Sequence, residues 1–164
     1  KKYKFNNISS KKKNILLIPG ASYSAKQYPV ENFAKLTSLF DANYVISWGN
    51  EQEKILAQKI KEISPEVNIC EKLSIDNLIS LISQVDLVIG PDTGPTHMGW
   101  ASNTPSIALF GPTPGYRNTI STNINKFIES ESDVNPSKID DTDYSIKDIN
   151  ASDVVKMIEN ILTK

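Results

Sequence analysis

Short apolar runs, each closed by a break and followed by a stretch with helical periodicity, constrain this chain more than any other feature. Ile15 to Ile18 ends at Pro19-Gly20, Asn43 to Trp48 at Gly49-Asn50, Asp86 to Gly90 at Pro91, and Pro105 to Phe110 at Gly111-Pro112, and Val67 to Cys70 supplies a further strand. Runs that lack polar alternation are strands covered on both faces, as in a parallel sheet. Between them the period lengthens. Pro29 suits the first turn of a helix to about Phe40, with Phe33, Leu36 and Leu39/Phe40 on one stripe. Glu51 to about Ile63 places Ile55, Leu56, Lys59, Ile60 and Ile63 near one face, and Ser74 caps a helix to Gln84 buried through Leu78, Ile79, Leu81 and Ile82. The order β-α-β-α-β-α-β-α-β predicts an α/β fold: a Rossmann-like parallel sheet with helices on both faces. If the strands order 3-2-1-4-5, the first and fourth lie side by side and a ligand crevice opens beyond their carboxyl ends.

The flanks are plainer. Residues 1–13 are lysine-rich, with Tyr3, Phe5 and Ile8 as the sizeable apolar side chains, and read as a linker or arm ahead of a domain at 14–164. The lysines lie on no amphipathic helix, so a solvated linker is preferred to peripheral contact with an anionic membrane surface. Beyond Thr113, Pro114 to Arg117 reads as a loop, one short strand is expected around Phe127 and Ile128, and Asp133 to Asp143 as a mobile or surface loop. Asn150, with Asp153 three residues on, caps a final helix to Leu162. The chain opens on Lys1 rather than Met, which reads as part of something longer.

With 164 residues and 39% of them hydrophobic, there is chain enough to bury one core. A net charge of -1 gives no basic footprint for nucleic acid, so no nucleic-acid partner is expected. No apolar run nears the roughly 20 residues of a membrane-spanning helix. The lone Cys70 forms no internal disulfide, which suits the cytosol, and it reads as a buried small hydrophobe.

Two turns carry chemistry. In Asp92-Thr93-Gly94-Pro95-Thr96-His97, Asp92 or Thr93 can cap a helix that begins near Gly94, whose first-turn N–H groups form an anion site. Asp92 also reads as an acceptor for a sugar hydroxyl. His97, one turn on, is either a structural histidine or, when protonated, a stabiliser of a leaving phosphate. The loop from Gly20 through Ser22 to Lys26 offers backbone donors and a point charge to a diphosphate; the alternative is an ordinary exposed lysine. Glu53, after the second strand, can accept both hydroxyls of a ribose, or can serve the dipole of its own helix, as Glu51 could. Trp48 and Trp100 read as packing residues.

These residues also carry a resemblance. Asp92-Thr93-Gly94-x-x-His97, followed by an apolar strand ending Phe110-Gly111-Pro112-Thr113, resembles the lipopolysaccharide heptosyltransferases, family 9 of the glycosyltransferases. Gly20-Ala21-x4-Lys26-x-Tyr28-Pro29 resembles a second pattern of that family, whose lysine contacts the donor's phosphates. The likeness covers about Asn14 to Thr113 and departs at Gly99-Trp100, usually small residues, and at Pro114-Gly115. It implies the C-terminal, donor-binding half of a two-domain GT-B enzyme that transfers heptose from ADP-heptose to the inner core of lipopolysaccharide, without metal or cofactor. The nucleotide-sugar site it implies comprises Gly20, Ser22, Lys26, Glu53, Leu73 (against the adenine), Asp92, Thr93, Gly94 and His97. The catalytic base is expected on an aspartate of an acceptor-binding N-terminal domain absent from this chain, so this half alone is expected to be inactive. The location implied is the cytoplasm, at the inner face of the inner membrane. Other readings stay open: a noncatalytic nucleotide- or phosphate-binding module, flavodoxin-like for example, or a GT-B transferase using another nucleotide sugar.

Overall fold

The computed structural model describes residues 5–163. Its strands are β1 (Asn14–Leu17), β2 (Asn43–Ile46), β3 (Asn68–Ile69), β4 (Leu87–Pro91), β5 (Ser106–Phe110) and β6 (Asn125–Glu129). They form one sheet in the order β3-β2-β1-β4-β5-β6, and every neighbouring pair is parallel. The expected 3-2-1-4-5 order is therefore present, with β6 added at the far edge. Helices α1 (Val30–Leu39), α2 (Glu51–Ile63), α3 (Ile75–Ile82), α4 (Gly94–Ala101), α5 (Gly115–Asn118) and α6 (Ala151–Leu162) complete the chain.

Alternate strand residues divide between two cores. Ile15, Leu17, Tyr44, Ile46, Leu87, Ile89, Ile107 and Leu109 pack with Phe33 and Leu36 of α1, Ala57 and Ile60 of α2, and Val154 and Ile158 of α6. Leu16, Val45 and Val88 face the other way, onto Leu81 and Ile82 of α3. Both faces are thus covered, which is why the strands read as uninterrupted apolar runs. Leu16 and Leu17, adjacent in sequence and both fully buried, enter different cores. At about 1.5–3 kcal/mol for each fully buried aliphatic side chain, this two-sided burial fixes the strand register far more strongly than intrinsic propensity does.

Caps set where the helices start. Asn50 accepts from the Glu53 amide at 3.0 Å, Ser74 from the Asn77 amide at 3.2 Å, and Asn150 from the Ser152 amide at 3.0 Å. Elsewhere the structure departs from expectation. Pro91 was expected to lie beyond the ladder but pairs with Leu109 as the last residue of β4. The β1 pairing stops at Ile89, so the missing N–H of Pro91 deprives no strand on that side. Pro114 to Asn118 forms a helical turn rather than an irregular loop. The described part of the 1–13 segment is packed: Phe5 and Ile8 lie against the α3-side core, and the Asn7 carbonyl accepts from the Asn43 side chain at 2.7 Å. Residues 1–4 of that segment lie outside the described residues.

The contact between β4 and α4 positions the turn that joins them. A Cβ on Gly90 would lie 2.4 Å from Thr96 Oγ1 and 2.7 Å from Ile18 Cβ. Only a residue without a side chain lets the first turn of α4 and the end of β1 approach together. Gly90→Ala is therefore expected to destabilise the fold by about 1–3 kcal/mol, measured by urea denaturation, whereas an alanine at Gly94, whose Cβ would meet open space, should cost less.

Candidate functional site

The carboxyl ends of β1 and β4, the adjacent central strands, form the switch point at which the crevice is expected. After β1 the chain passes Gly20 and makes a single 3-10 turn, Ser24–Lys26, that directs the Lys26 side chain inward. After β4 it reaches Asp92 and enters α4 at Thr93. The two turns meet. Lys26 Nζ stands 3.0 Å from Asp92 Oδ2, with only 9% and 10% of the two side chains exposed.

Asp92 is the hub. Its Oδ1 accepts from His97 Nε2 at 2.6 Å, and its Oδ2 accepts from Lys26 and, at 3.1 Å, from Asn118 Nδ2 on α5. Trp100 Nε1 donates to His97 Nδ1 at 3.1 Å. Burial alone would push the Asp92 carboxyl up; the His97 hydrogen bond and the Lys26 ammonium outweigh it and hold the group well below the usual carboxylate range. The buried Thr113 hydroxyl lies against the same carboxylate and adds to the lowering.

The capping expectation is corrected. Thr93 holds the N-cap position but makes no side-chain capping bond, and Asp92 is committed to charged and polar partners instead. A carboxylate gains more from a buried cation and a short histidine bond than from a neutral amide. The first-turn amides of α4 are left without a side-chain cap, and the space in front of Gly94 is open.

Glu53 lies at the neighbouring edge of the same crevice. Its Oε2 accepts from the Gly49 amide at 2.6 Å and its Oε1 from Asn50 Nδ2 at 3.1 Å, so it does brace the start of α2. Glu51 pairs with Lys54 instead. The Glu53 side chain also crosses to the β1 loop, where a Cβ on Gly20 would come within 2.4 Å of it. Gly20, Lys26, Glu53, Asp92, Thr93, Gly94 and His97 are thus gathered along the ends of β1, β2 and β4. Ser22 is exposed on the same loop. Leu73 is farther along, lining a cavity of about 380 Å³ with Phe5, Asn7, Cys70 and Asn77.

The tryptophans do more than pack. Trp48 Nε1 donates to the Cys70 carbonyl at 2.7 Å and lies under Lys54. Cys70 is buried, as expected, and burial pushes its thiol up. Asn118 and Thr113 were missed as site residues. No local pattern links Asn118 to Asp92 across 26 residues, whereas the His97–Trp100 spacing of three, one helical turn, was a legible signal.

Comparison with known proteins bears on what this crevice is. The model of glycosyltransferase family 9 (heptosyltransferase) matches residues 1–141. The chain belongs to glycosyltransferase family 9. Among its relatives in the family, lipopolysaccharide heptosyltransferase 1 of Campylobacter coli is 35% identical over 164 residues, 94% of this chain and 48% of that protein. Lipooligosaccharide heptosyltransferase 2 of Campylobacter jejuni serotype O:6 is 35% identical over 123 residues, 68% of this chain and 39% of that protein. The E. coli heptosyltransferase WaaC with ADP shares the fold with a TM-score of 0.76 at 19% identity, covering 94% of this chain and 46% of that one. This family 9 chain therefore spans about half the length of the curated relatives it matches, and its sheet corresponds to half of a GT-B structure. Among the described residues no helix is long and apolar enough to cross a membrane, and no cluster of His, Cys, Asp or Glu is arranged to hold a metal ion.

The buried ion pair generates a test. Asp92→Asn leaves the Lys26 ammonium buried without its counter-charge and is expected to cost about 3–5 kcal/mol in urea denaturation at neutral pH. Because the folded Asp92 carboxyl is depressed, its contribution is present above the unfolded value near 4 and is lost as pH falls below it. The difference between wild type and Asp92→Asn should therefore shrink in acid.

Proposed function

We propose that this chain is the donor-binding C-terminal half of a heptosyltransferase that moves heptose from ADP-heptose to the inner core of lipopolysaccharide. The observation that carries the proposal is the 3.0 Å approach of Lys26 to Asp92, which brings two sequence-distant turns to one gap in the sheet. In this reading the donor's diphosphate lies between Lys26 and the first-turn amides of Thr93 and Gly94, where a cation and unpaired N–H groups converge. Glu53 accepts from the ribose hydroxyls, Gly20 and Ser22 line the loop over the phosphates, and the adenine rests toward Leu73. Asp92 already accepts from His97, Lys26 and Asn118, so a hydroxyl of the donor sugar reaches this carboxylate by sharing or displacing the Asn118 bond. His97, bonded to Asp92, acts through that carboxylate; Lys26 supplies the charge that faces the leaving phosphate.

No metal or cofactor enters this scheme. Positive charge comes from the lysine and the helix start, which suffice to bind a diphosphate. The acceptor site and the catalytic aspartate belong to a preceding domain, and the complete enzyme works in the cytoplasm at the inner face of the inner membrane. The chain by itself binds the donor nucleotide and does not turn over.

Isothermal calorimetry with ADP, UDP and FMN tests the assignment. ADP is expected to bind in preference to the other two, with Lys26→Ala weakening it about 10-fold or more and Glu53→Ala weakening it less, consistent with about 1.5–3 kcal/mol for a charged hydrogen bond. Circular dichroism checks that each variant is folded. Equal affinity for FMN, or ADP binding indifferent to both substitutions, would contradict the assignment and favour a general phosphate-binding module. Heptose transfer by this polypeptide alone would remove the need for a second domain.

A further inference from the structure

His97 uses both ring nitrogens within the protein: Nε2 contacts Asp92 Oδ1 at 2.6 Å and Nδ1 faces Trp100 Nε1 at 3.1 Å. An indole nitrogen can only donate, so Nδ1 must be the acceptor and the ring proton must sit on Nε2, directed at the carboxylate. We propose that Trp100 is a positioning residue that fixes His97 as the neutral Nε2–H tautomer, and thereby keeps Asp92 hydrogen-bonded in the orientation that holds Lys26. The proposal deepens the donor-site assignment, on which its functional meaning rests, but the tautomer itself is independent of any nucleotide.

The surroundings support a neutral ring. The charged groups facing it are Asp92 and, through Asp92, Lys26. Of the elements packed on α4, β4 and β5 contain no charged residue, and the acidic Asp76 of α3 is exposed in that helix's first turn. Asp92 and Lys26 already balance one another. Protonating Nδ1 would oppose an N–H to an N–H and break the Trp100 bond, so Trp100 disfavours the imidazolium. Without the indole, Nδ1 has no donor and the ring is held by the Asp92 contact alone.

His97 is the single histidine of the sequence, so its ring signals need no assignment. Two-bond 1H–15N spectra of the nucleotide-free protein, recorded from pH 5 to 9, read the tautomer directly. The wild type is expected to show a protonated Nε2 and an unprotonated Nδ1 through neutral pH. Trp100→Phe should move the Nδ1 15N resonance downfield, as for an imine nitrogen that has lost its hydrogen-bond donor, a change that a purely packing role for the indole would not produce. Should Trp100→Phe not fold, the wild-type spectrum still decides the tautomer. An Nδ1–H tautomer or an imidazolium at neutral pH in the wild type, or an unmoved Nδ1 resonance in a folded Trp100→Phe, would overturn the proposal. Failure of ADP to bind would instead count against the donor-site assignment and leave the spectral result standing.

Discussion

A lysine and an aspartate buried against each other at the end of a parallel sheet organise this molecule. Neither charge could lie at about one-tenth exposure alone, because desolvation would cost several kcal/mol for each ion. Together, with His97 and Asn118 satisfying the remaining demands of the carboxylate, they tie the loop after β1 to the turn after β4 and to the short helix after β5. Three segments far apart in sequence are held by one carboxylate.

That arrangement also keeps positive charge at the mouth of the crevice. A free surface lysine would wander among rotamers; one gripped by Asp92 is held beside the start of α4, where the space before Gly94 is open and the Thr113 hydroxyl lies against the same carboxylate. In the proposed donor complex a diphosphate would offer oxygens to both the lysine and the helix amides while Lys26 keeps its contact with Asp92. Glu53 serves two ends: it braces the start of α2 through the Gly49 amide and presents carboxylate beside Gly20, which can carry no side chain there without colliding with it.

The layout was readable in the sequence because each level agreed with the next. The apolar runs from Ile15 and Leu87 had to be covered on both faces, the caps at Asn50, Ser74 and Asn150 marked helix starts, and the order of elements left few topologies. What escaped was long-range and polar. Asp92 looked like a helix cap because its neighbours fit one, yet its partners come from Lys26 and Asn118, whose approach depends on the folded crossing of three loops. Pro114 to Asn118 looked irregular because a four-residue helix carries almost no periodic signal. Phe5 and Ile8 looked like linker residues because the groove that receives them, beside Leu73 and Leu78, is assembled only when α3 docks on the sheet.

The most direct measurement is a crystal structure of this chain with ADP bound. The account predicts the diphosphate between Lys26 Nζ and the first-turn amides of α4, with the ribose hydroxyls on Glu53 and the adenine toward Leu73. A nucleotide found elsewhere, such as beside the acidic groove between β6 and α6 formed by Glu129, Glu131 and Asp153, or one that leaves Lys26 and the α4 amides untouched, would contradict it.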